Sequence, residues 1–224
     1  MEIKVACSLG ISCHSSNLLK INKLLECSYP FDWIHTSPEN VIHCIEDGFN
    51  KFLDKSYYKT VKEKVCSHSL YHWIMFNHHN PLLDEKDYKY FIDCVNRFNF
   101  LLSRKEGKFF IMIFNNNKEF INEKFINKII DFNKKFSTYT ENYILLVIYY
   151  VGNNGNNGNN GNNGNNGNNG NNGNTHKFFY NDNIHFLELN TLSETDGNSF
   201  LDDNDNVYLN NIIMKSYNFD YLLP

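Results

Sequence analysis

The segment from Ser8 to Cys13, with the sequence SLGISC, brings a thiol to a predicted junction between a strand and a helix. The apolar run before it predicts a buried strand, Gly10 allows a tight turn, and Ser12 is predicted to cap the helix. A thiol in the first turn of a helix lies beside free backbone N–H groups and the positive end of the helix dipole, which stabilise a thiolate and lower its pKa. The same N–H groups can stabilise an oxyanion, so Cys13 is a candidate nucleophile. The alternative is a small residue that packs at a helix start.

Histidines that could accept a proton from this thiol are concentrated in the first third of the chain. Seven of the nine lie between positions 14 and 79. The segment from Phe76 to Pro81 is predicted to enter a loop that presents the imidazoles of His78 and His79. One of these two, His78 or His79, is the candidate general base for Cys13.

Two further segments supply charged or aromatic candidates. Asp32 lies in the aromatic turn SYPFDW, where it could orient a histidine or accept hydrogen bonds from the backbone of the turn; a packing corner is the alternative. Arg97, one of only two arginines, could pair with a buried carboxylate such as Asp32 or bind an anionic group, unless it is an ordinary surface arginine. The candidate binding residues are Ser8, Gly10, Trp33, His79 and Arg97.

No metal, cofactor or classical nucleotide site is predicted. Cys66, His68 and His72 have the side-chain types of zinc ligands, but no Cys-x-x-Cys pair completes a tetrahedral set. The sequence around Gly10 matches neither GxGxxG nor GxxxxGK[ST].

The periodicity of the remaining segments predicts the elements that position these residues. Apolar runs predict buried strands over residues 3–8, 108–114 and 143–151, and a fourth within residues 178–189, centred on 184–189. Apolar residues at helical spacing predict helices over about 12–25, 38–53, 84–103, 119–136 and 207–217. The prediction is an α/β fold with a mostly parallel sheet of about four strands, flanked by helices in three layers, and a helical excursion between the first two strands. Loops at the carboxyl ends of the strands, including the one from Gly10 to His14, should hold the site.

A low-complexity insert interrupts this pattern. Residues 152–174 consist of glycine and asparagine only, and without proline they cannot form a collagen helix. We expect a flexible, disordered surface loop, because the entropic cost of closing a loop grows slowly with its length. About 50 residues follow the insert, too few for an independent core, so residues 1–224 are predicted to form a single domain.

Composition and charge exclude several classes of protein. The 224 residues carry a net charge of −4 spread along the chain, which gives no electrostatic basis for binding nucleic acid. The longest apolar run, Tyr143 to Val151, is far shorter than the roughly 18 to 20 residues of a membrane helix. The start of the sequence lacks the features of a secretory signal, so the six cysteines are predicted to be reduced thiols of an intracellular protein.

The amino-acid usage also suggests an origin. The chain has one alanine, no glutamine, and 19 lysines against two arginines, a bias that is typical of A+T-rich codons. We therefore expect a very AT-rich genome, such as that of a large DNA virus, in which case the protein would act in the host cytoplasm.

Taken together, these segments resemble a domain family of unknown function, described as "putative papain-like cysteine peptidases", with members in bacteria and large DNA viruses. The shared pattern is a strand ending in SLGxxC, a PFDW turn, an FxH motif, and an Arg-Phe helix before an apolar strand. The matching residues are Ser8-Leu9-Gly10 with Cys13, Pro30 to Trp33, Phe76 with His78, Arg97-Phe98, and Phe109 to Phe114. The resemblance covers about residues 3 to 115 and implies a thiol nucleophile at Cys13 with His78 as its base.

Three functions are compatible with the sequence. In the first, the protein is a cysteine-dependent hydrolase or acyl transferase acting on a peptide or a small acyl or glycan ligand, with Asp32 orienting the histidine. In the second, it is a non-hydrolytic module that binds a sugar or nucleotide, with a phosphate at Gly10 and Arg97 as its counter-charge. In the third, it is a catalytically inactive viral interaction protein.

Overall fold

The chain folds around two sheets, and a computed structural model describes residues 1–62, 65–115, 122–152 and 174–219. The strands are β1 (Val5–Ser8), β2 (Tyr58–Lys62), β3 (Val65–His68), β4 (His72–Phe76), β5 (Lys108–Asn115), β6 (Tyr143–Gly152), β7 (Thr175–Asn181) and β8 (Ile184–Thr191). The helices are α1 (His14–Ile21), α2 (Pro38–Glu46), α3 (Asn50–Leu53), α4 (Glu85–Ser103), α5 (Glu123–Phe136) and α6 (Asp203–Ser216).

The larger sheet has five strands in the order β1-β5-β6-β8-β7. The first four of these are parallel, and β7 pairs antiparallel with β8 at the edge. The structure confirms the predicted α/β class with its mostly parallel sheet. The additional strand β7 is largely exposed, so it lacks the apolar run by which the four buried strands could be predicted.

Helices cover both faces of this sheet because successive side chains of each strand point to opposite sides. Helices α1 and α6 pack on one face, against strand residues that include Ala6, Phe109, Ile111, Leu146 and Ile148. Helices α2, α4 and α5 pack on the other, against residues that include Val5, Cys7, Phe110, Met112 and Val147. Both faces are therefore buried, which explains why the strands are continuous apolar runs.

The predicted start and end of the first helix were wrong. Cys13, not Ser12, is the N-cap, and no side chain caps this helix end. The helix ends at Ile21 rather than near Leu25 because Lys23 adopts a positive φ of 58°. Helices α2 and α4 begin where predicted, whereas α5 begins at Glu123 rather than at 119 and α6 at Asp203 rather than at 207. All four start at a residue whose side chain accepts a backbone N–H of the first turn, namely Ser37, Asp84, Asn122 and Asp202.

The excursion between β1 and β5 is not entirely helical, contrary to the prediction. It contains a second, antiparallel sheet in the order β2-β3-β4. Most of the histidine-rich stretch lies on β3 and β4, and its end, from Asn77 to His79, lies beyond β4. These strands are four or five residues long and mix buried with exposed positions, so their sequences carry little periodic signal.

Two further predictions concern the Gly/Asn insert and the number of domains. The Gly/Asn insert lies, apart from Gly152 and Asn174, outside the described residues, and the prediction of a single domain is not tested by the fold. Within the described part of the chain, no helix is both long and apolar enough to cross a membrane.

Candidate active site

The turn between β1 and α1 is held in an unusual backbone conformation. Gly10 and Ile11 have φ values of 82° and 77°, and a positive φ is a strained conformation for a β-branched residue such as isoleucine. The hydroxyl of Ser8 accepts the N–H of Gly10 at 3.0 Å and contacts the hydroxyl of Ser15 at 2.7 Å. Ser8 therefore stabilises the turn from within the protein. Because the residue is fully buried, its hydroxyl is not exposed for the predicted role in binding.

Glycine is required at position 10 for space as well as for φ. A Cβ atom there would collide with Cγ2 of Thr36 and lie 3.0 Å from the carbonyl oxygen of Phe31. We expect Gly10→Ala to lower the free energy of unfolding by about 3 kcal/mol or more, because steric overlap adds to backbone strain. Gly197→Ala is the matched control: Gly197 has a φ of 92° but open space around it, so strain alone should cost about 1 kcal/mol. Equal losses in urea denaturation would contradict this account.

The turn places the thiol of Cys13 beside the imidazole of His78. Their Sγ and Nε2 atoms are 3.7 Å apart, within hydrogen-bonding distance for sulfur, although 65 positions separate the residues in the chain. Cys13 is 7% exposed, whereas His78, just beyond the end of β4, is exposed. The fold thus brings together the predicted nucleophile and one of its two candidate bases, each from a different sheet.

Burial determines the protonation of the thiol. The pKa of Cys13 is raised to about 11, chiefly by burial and also by the charges of Asp196 and Asp32, while a hydrogen bond from the backbone of Cys13 itself lowers it. The expected lowering of this pKa by the helix start is therefore wrong for the resting state. At neutral pH the sulfur keeps its proton, and a thiolate forms only when a base accepts that proton.

His79, the second candidate base, is directed elsewhere. Its Nδ1 lies 2.9 Å from Oδ1 of Asp87, and its ring stacks on Tyr90 with the centroids 4.6 Å apart. The structure therefore does not bring His79 to the thiol, and its contacts secure the loop to the start of α4.

Asp32 lies beneath the site and has no described contact with a histidine. One carboxylate oxygen accepts the hydroxyl of Ser16 at 3.2 Å, and the other accepts the N–H of Tyr29 at 2.7 Å. The pKa of Asp32 is raised to about 7 because burial outweighs these two hydrogen bonds and the charge of Arg97, all of which lower it. The backbone role considered for Asp32 agrees with these contacts, and the role of orienting a histidine does not.

Arg97 and Trp33 also occupy defined places. Arg97 donates from Nε to the carbonyl oxygen of Ser28 at 2.8 Å and from Nη2 to the sulfur of Cys94 at 3.0 Å. The charge of Arg97 lowers the pKa of Asp32, but the two side chains form no ion pair among the described residues. Trp33 is half-buried, and Nζ of Lys20 lies 5.6 Å from the centroid of its ring.

The segment after β8 also contacts the start of α1, although its sequence does not mark it as part of the site. Oγ1 of Thr195 lies 3.5 Å from Nδ1 of His14, and Asn17 donates to the carbonyl oxygen of Asn198 at 3.0 Å. The charge of the adjacent Asp196 raises the pKa of Cys13. The Asp196-Gly197 dipeptide is a turn signal that marks the segment as a loop, but no pattern indicated which loop it faces.

A further histidine, His35, contacts the loop that carries His78. Its Nε2 lies 3.0 Å from Nδ2 of Asn77.

Across the described ranges, no three histidine, cysteine or acidic side chains are grouped so that they could hold a metal ion.

Comparison with known proteins identifies the family. The sequence profile of a family described as "putative papain-like cysteine peptidase" matches residues 4–153, about two thirds of the chain. The chain therefore belongs to this family. The match includes Cys13, His78 and strands β1 to β6, and it ends before the segment that contains Thr195. Neither a curated protein nor a solved structure matches the chain.

Proposed function

We propose that this family member is a cysteine-dependent hydrolase in which Cys13 is the nucleophile and His78 the general base. The observation that carries the proposal is the 3.7 Å distance between Sγ of Cys13 and Nε2 of His78. Two side chains of complementary chemistry meet at the carboxyl end of a parallel strand, where α/β proteins commonly place their sites. The description of the family as peptidases supports the same class of reaction.

The reaction begins from a neutral pair. Because burial raises the pKa of Cys13 to about 11, His78 accepts the thiol proton on Nε2 as the sulfur attacks the carbonyl carbon of the substrate. A C–S bond forms, and the carbonyl electron pair moves to oxygen to give a tetrahedral oxyanion. The first N–H groups of α1, which lack partners within the helix, stabilise this charge.

The intermediate then collapses in two stages. The carbonyl re-forms, the bond to the leaving group breaks, and His78 returns its proton to the departing amine or alcohol. Water attacks the resulting thioester while His78 accepts a proton from it. The C–S bond breaks, His78 protonates the sulfur, and a carboxylic acid leaves with the resting thiol restored.

The substrate class and setting in this proposal come from the sequence. A peptide or a small acyl or glycan ligand is the expected substrate, and nucleic acid, membranes and cofactors have no role in the reaction. An intracellular setting, and a host cytoplasm if the genome is viral, fit the six free thiols in the structure.

The accessibility and protonation of Cys13 favour one second candidate, a catalytically inactive interaction domain. A thiol that is 7% exposed, with a pKa of about 11, is unreactive unless His78 accepts its proton. The sugar- or nucleotide-binding alternative has less support, because the guanidinium of Arg97 is engaged by Ser28 and Cys94 rather than directed at the Gly10 turn.

Hydrolysis of p-nitrophenyl acetate and of a peptide library tests the proposal. The wild-type protein should cleave at least one of them, and Cys13→Ala should lose this activity by about 10³-fold or more while keeping its melting temperature. Cys27→Ala, which removes a half-buried thiol, is the control and should retain the activity. Equal hydrolysis by wild type and Cys13→Ala would refute a nucleophilic Cys13, and no cleavage at all would favour the interaction domain.

A further inference from the structure

His35 lies between the two segments that carry the candidate catalytic pair. Its backbone N–H donates to the carbonyl oxygen of Met75 at 3.2 Å, and the preceding Ile34 pairs antiparallel with Phe76. The chain after the PFDW turn therefore runs along the end of β4, just before His78. The ring of His35 also stacks on His72, with the centroids 5.2 Å apart.

The ring of His35 has hydrogen-bond partners in both segments of the site. Nδ2 of Asn77, which can only donate, lies 3.0 Å from Nε2, so Nε2 is the acceptor and the proton is on Nδ1. The ring also forms a hydrogen bond with the backbone of Ile11, the strained residue of the turn before Cys13. One side chain thus connects the residue before His78 to the turn before Cys13.

His78 needs such support because its own ring is held weakly. The ring is exposed, and its contact with Cys13 is its only hydrogen bond within the described residues. In a catalytic pair the base is usually oriented by a third group, but Asp32 and Asp87 both contact other residues. The backbone position of the loop therefore has a large influence on the distance between the sulfur and the imidazole.

We propose that neutral His35 is a positioning residue, which sets the distance between Cys13 and His78 through its bonds to Ile11 and Asn77. The inference rests on the proposed function, since it assigns His35 a role in that same reaction. Burial lowers the pKa of His35 and outweighs the hydrogen bond to the backbone of Ile11, which raises it. The neighbouring His78 also lowers the pKa, so the ring is neutral at physiological pH. His35 does not touch the reacting atoms, and it acts through the loop that carries the base.

Two conservative variants separate the two bonds of His35. Glutamine can place its carbonyl oxygen near the position of Nε2 and so accept from Asn77, whereas asparagine reaches only the position of Nδ1. The readout is the rate at which iodoacetamide alkylates Cys13 at pH 7, measured by mass spectrometry. We expect His35→Asn and Asn77→Ala each to slow the reaction at least about tenfold, and His35→Gln to stay within about threefold of wild type.

The combination of variants tests whether the two residues act together. The double variant His35→Asn/Asn77→Ala should be no slower than the slower single variant, because both changes break the same bond. An unchanged rate in His35→Asn, or equal slowing in His35→Gln and His35→Asn, would overturn the proposal. If His78→Ala leaves the alkylation rate unchanged, the proposed function fails instead, so the two failures can be distinguished.

A measurement on the wild-type protein does not depend on the folding of any variant. Long-range ¹⁵N–¹H NMR of the histidine rings reports which nitrogen of His35 carries the proton. The proposal requires the Nδ1–H tautomer at pH 7. An Nε2–H tautomer, or a doubly protonated ring, would break the bond from Asn77 and overturn it.

Discussion

Replacing His78 with alanine should slow the alkylation of Cys13 by iodoacetamide at pH 7 by about 10²-fold or more. Only the thiolate reacts, and burial raises the pKa of Cys13 to about 11, so an unassisted thiol is almost entirely protonated at this pH. In the wild-type protein, Nε2 of His78 lies 3.7 Å from the sulfur and can accept the proton. General bases of this kind contribute about 10² to 10⁴ to a rate.

The adjacent histidine provides a matched control for this result. His79→Ala removes an imidazole one position away that contacts Asp87 and Tyr90 rather than the thiol. Its Cys13 should therefore react within about twofold of the wild-type rate. If His79→Ala slowed the reaction as much as His78→Ala, the assignment of the base would be wrong. An unchanged rate in both variants would show that neither histidine acts as the base.

Replacing Asp32 with asparagine should change how stability depends on pH by about 3 to 4 kcal/mol. The pKa of this buried carboxyl is about 7 in the folded protein, against an ordinary value of 3.8. Between these values the folded protein binds more protons than the unfolded chain, so ionisation of Asp32 lowers the free energy of unfolding as pH rises. Asp32→Asn has no ionisable group at this position, so its free energy of unfolding does not fall for this reason as pH rises. Its free energy of unfolding, relative to wild type, should therefore increase steadily from pH 4 to pH 8 in urea denaturation.

His14 supplies a control of opposite sign. Burial lowers its pKa to about 4 from an ordinary value of 6.5, so its contribution to stability is fully present above pH 6.5 and is lost as pH falls through 4. The free energy of unfolding of His14→Gln, relative to wild type, should decrease by about 3 kcal/mol as pH rises from 4 to 7. A relative stability of Asp32→Asn that does not change with pH would show that the carboxyl ionises normally in the folded protein.

The fold could be predicted well where burial leaves a periodic signal. Strands β5 and β6 are buried on both faces, so their sequences are continuous apolar runs with recognisable ends. Helix α2 begins with a serine cap and a proline at its first position, which are local signals. By contrast, β2 to β4 are short, with mixed burial, and depend on pairing between segments that a local pattern cannot reveal.

The candidate site was predictable only in part, for a similar reason. The chemistry of Cys13 and His78 follows from residue type and from the family resemblance, and the distance between them then follows from the fold. The partners of Asp32 and Arg97 could not be predicted, because each contacts backbone or side-chain groups that become neighbours only after folding. The pKa of Cys13 was predicted in the wrong direction, since the sequence shows the helix start but not the burial that outweighs it.

The pH dependence of Cys13 alkylation in the wild-type protein tests the central claim most directly, with Cys27 as the internal reference. The account predicts that at pH 7 the 7%-exposed Cys13 reacts faster than the more accessible Cys27, because His78 accepts its proton. The rate should therefore not follow the tenfold rise per pH unit that an unassisted thiol shows below its pKa. A Cys13 that reacts no faster than Cys27, with a rate that rises about tenfold per pH unit towards pH 11, would contradict the nucleophile–base pair.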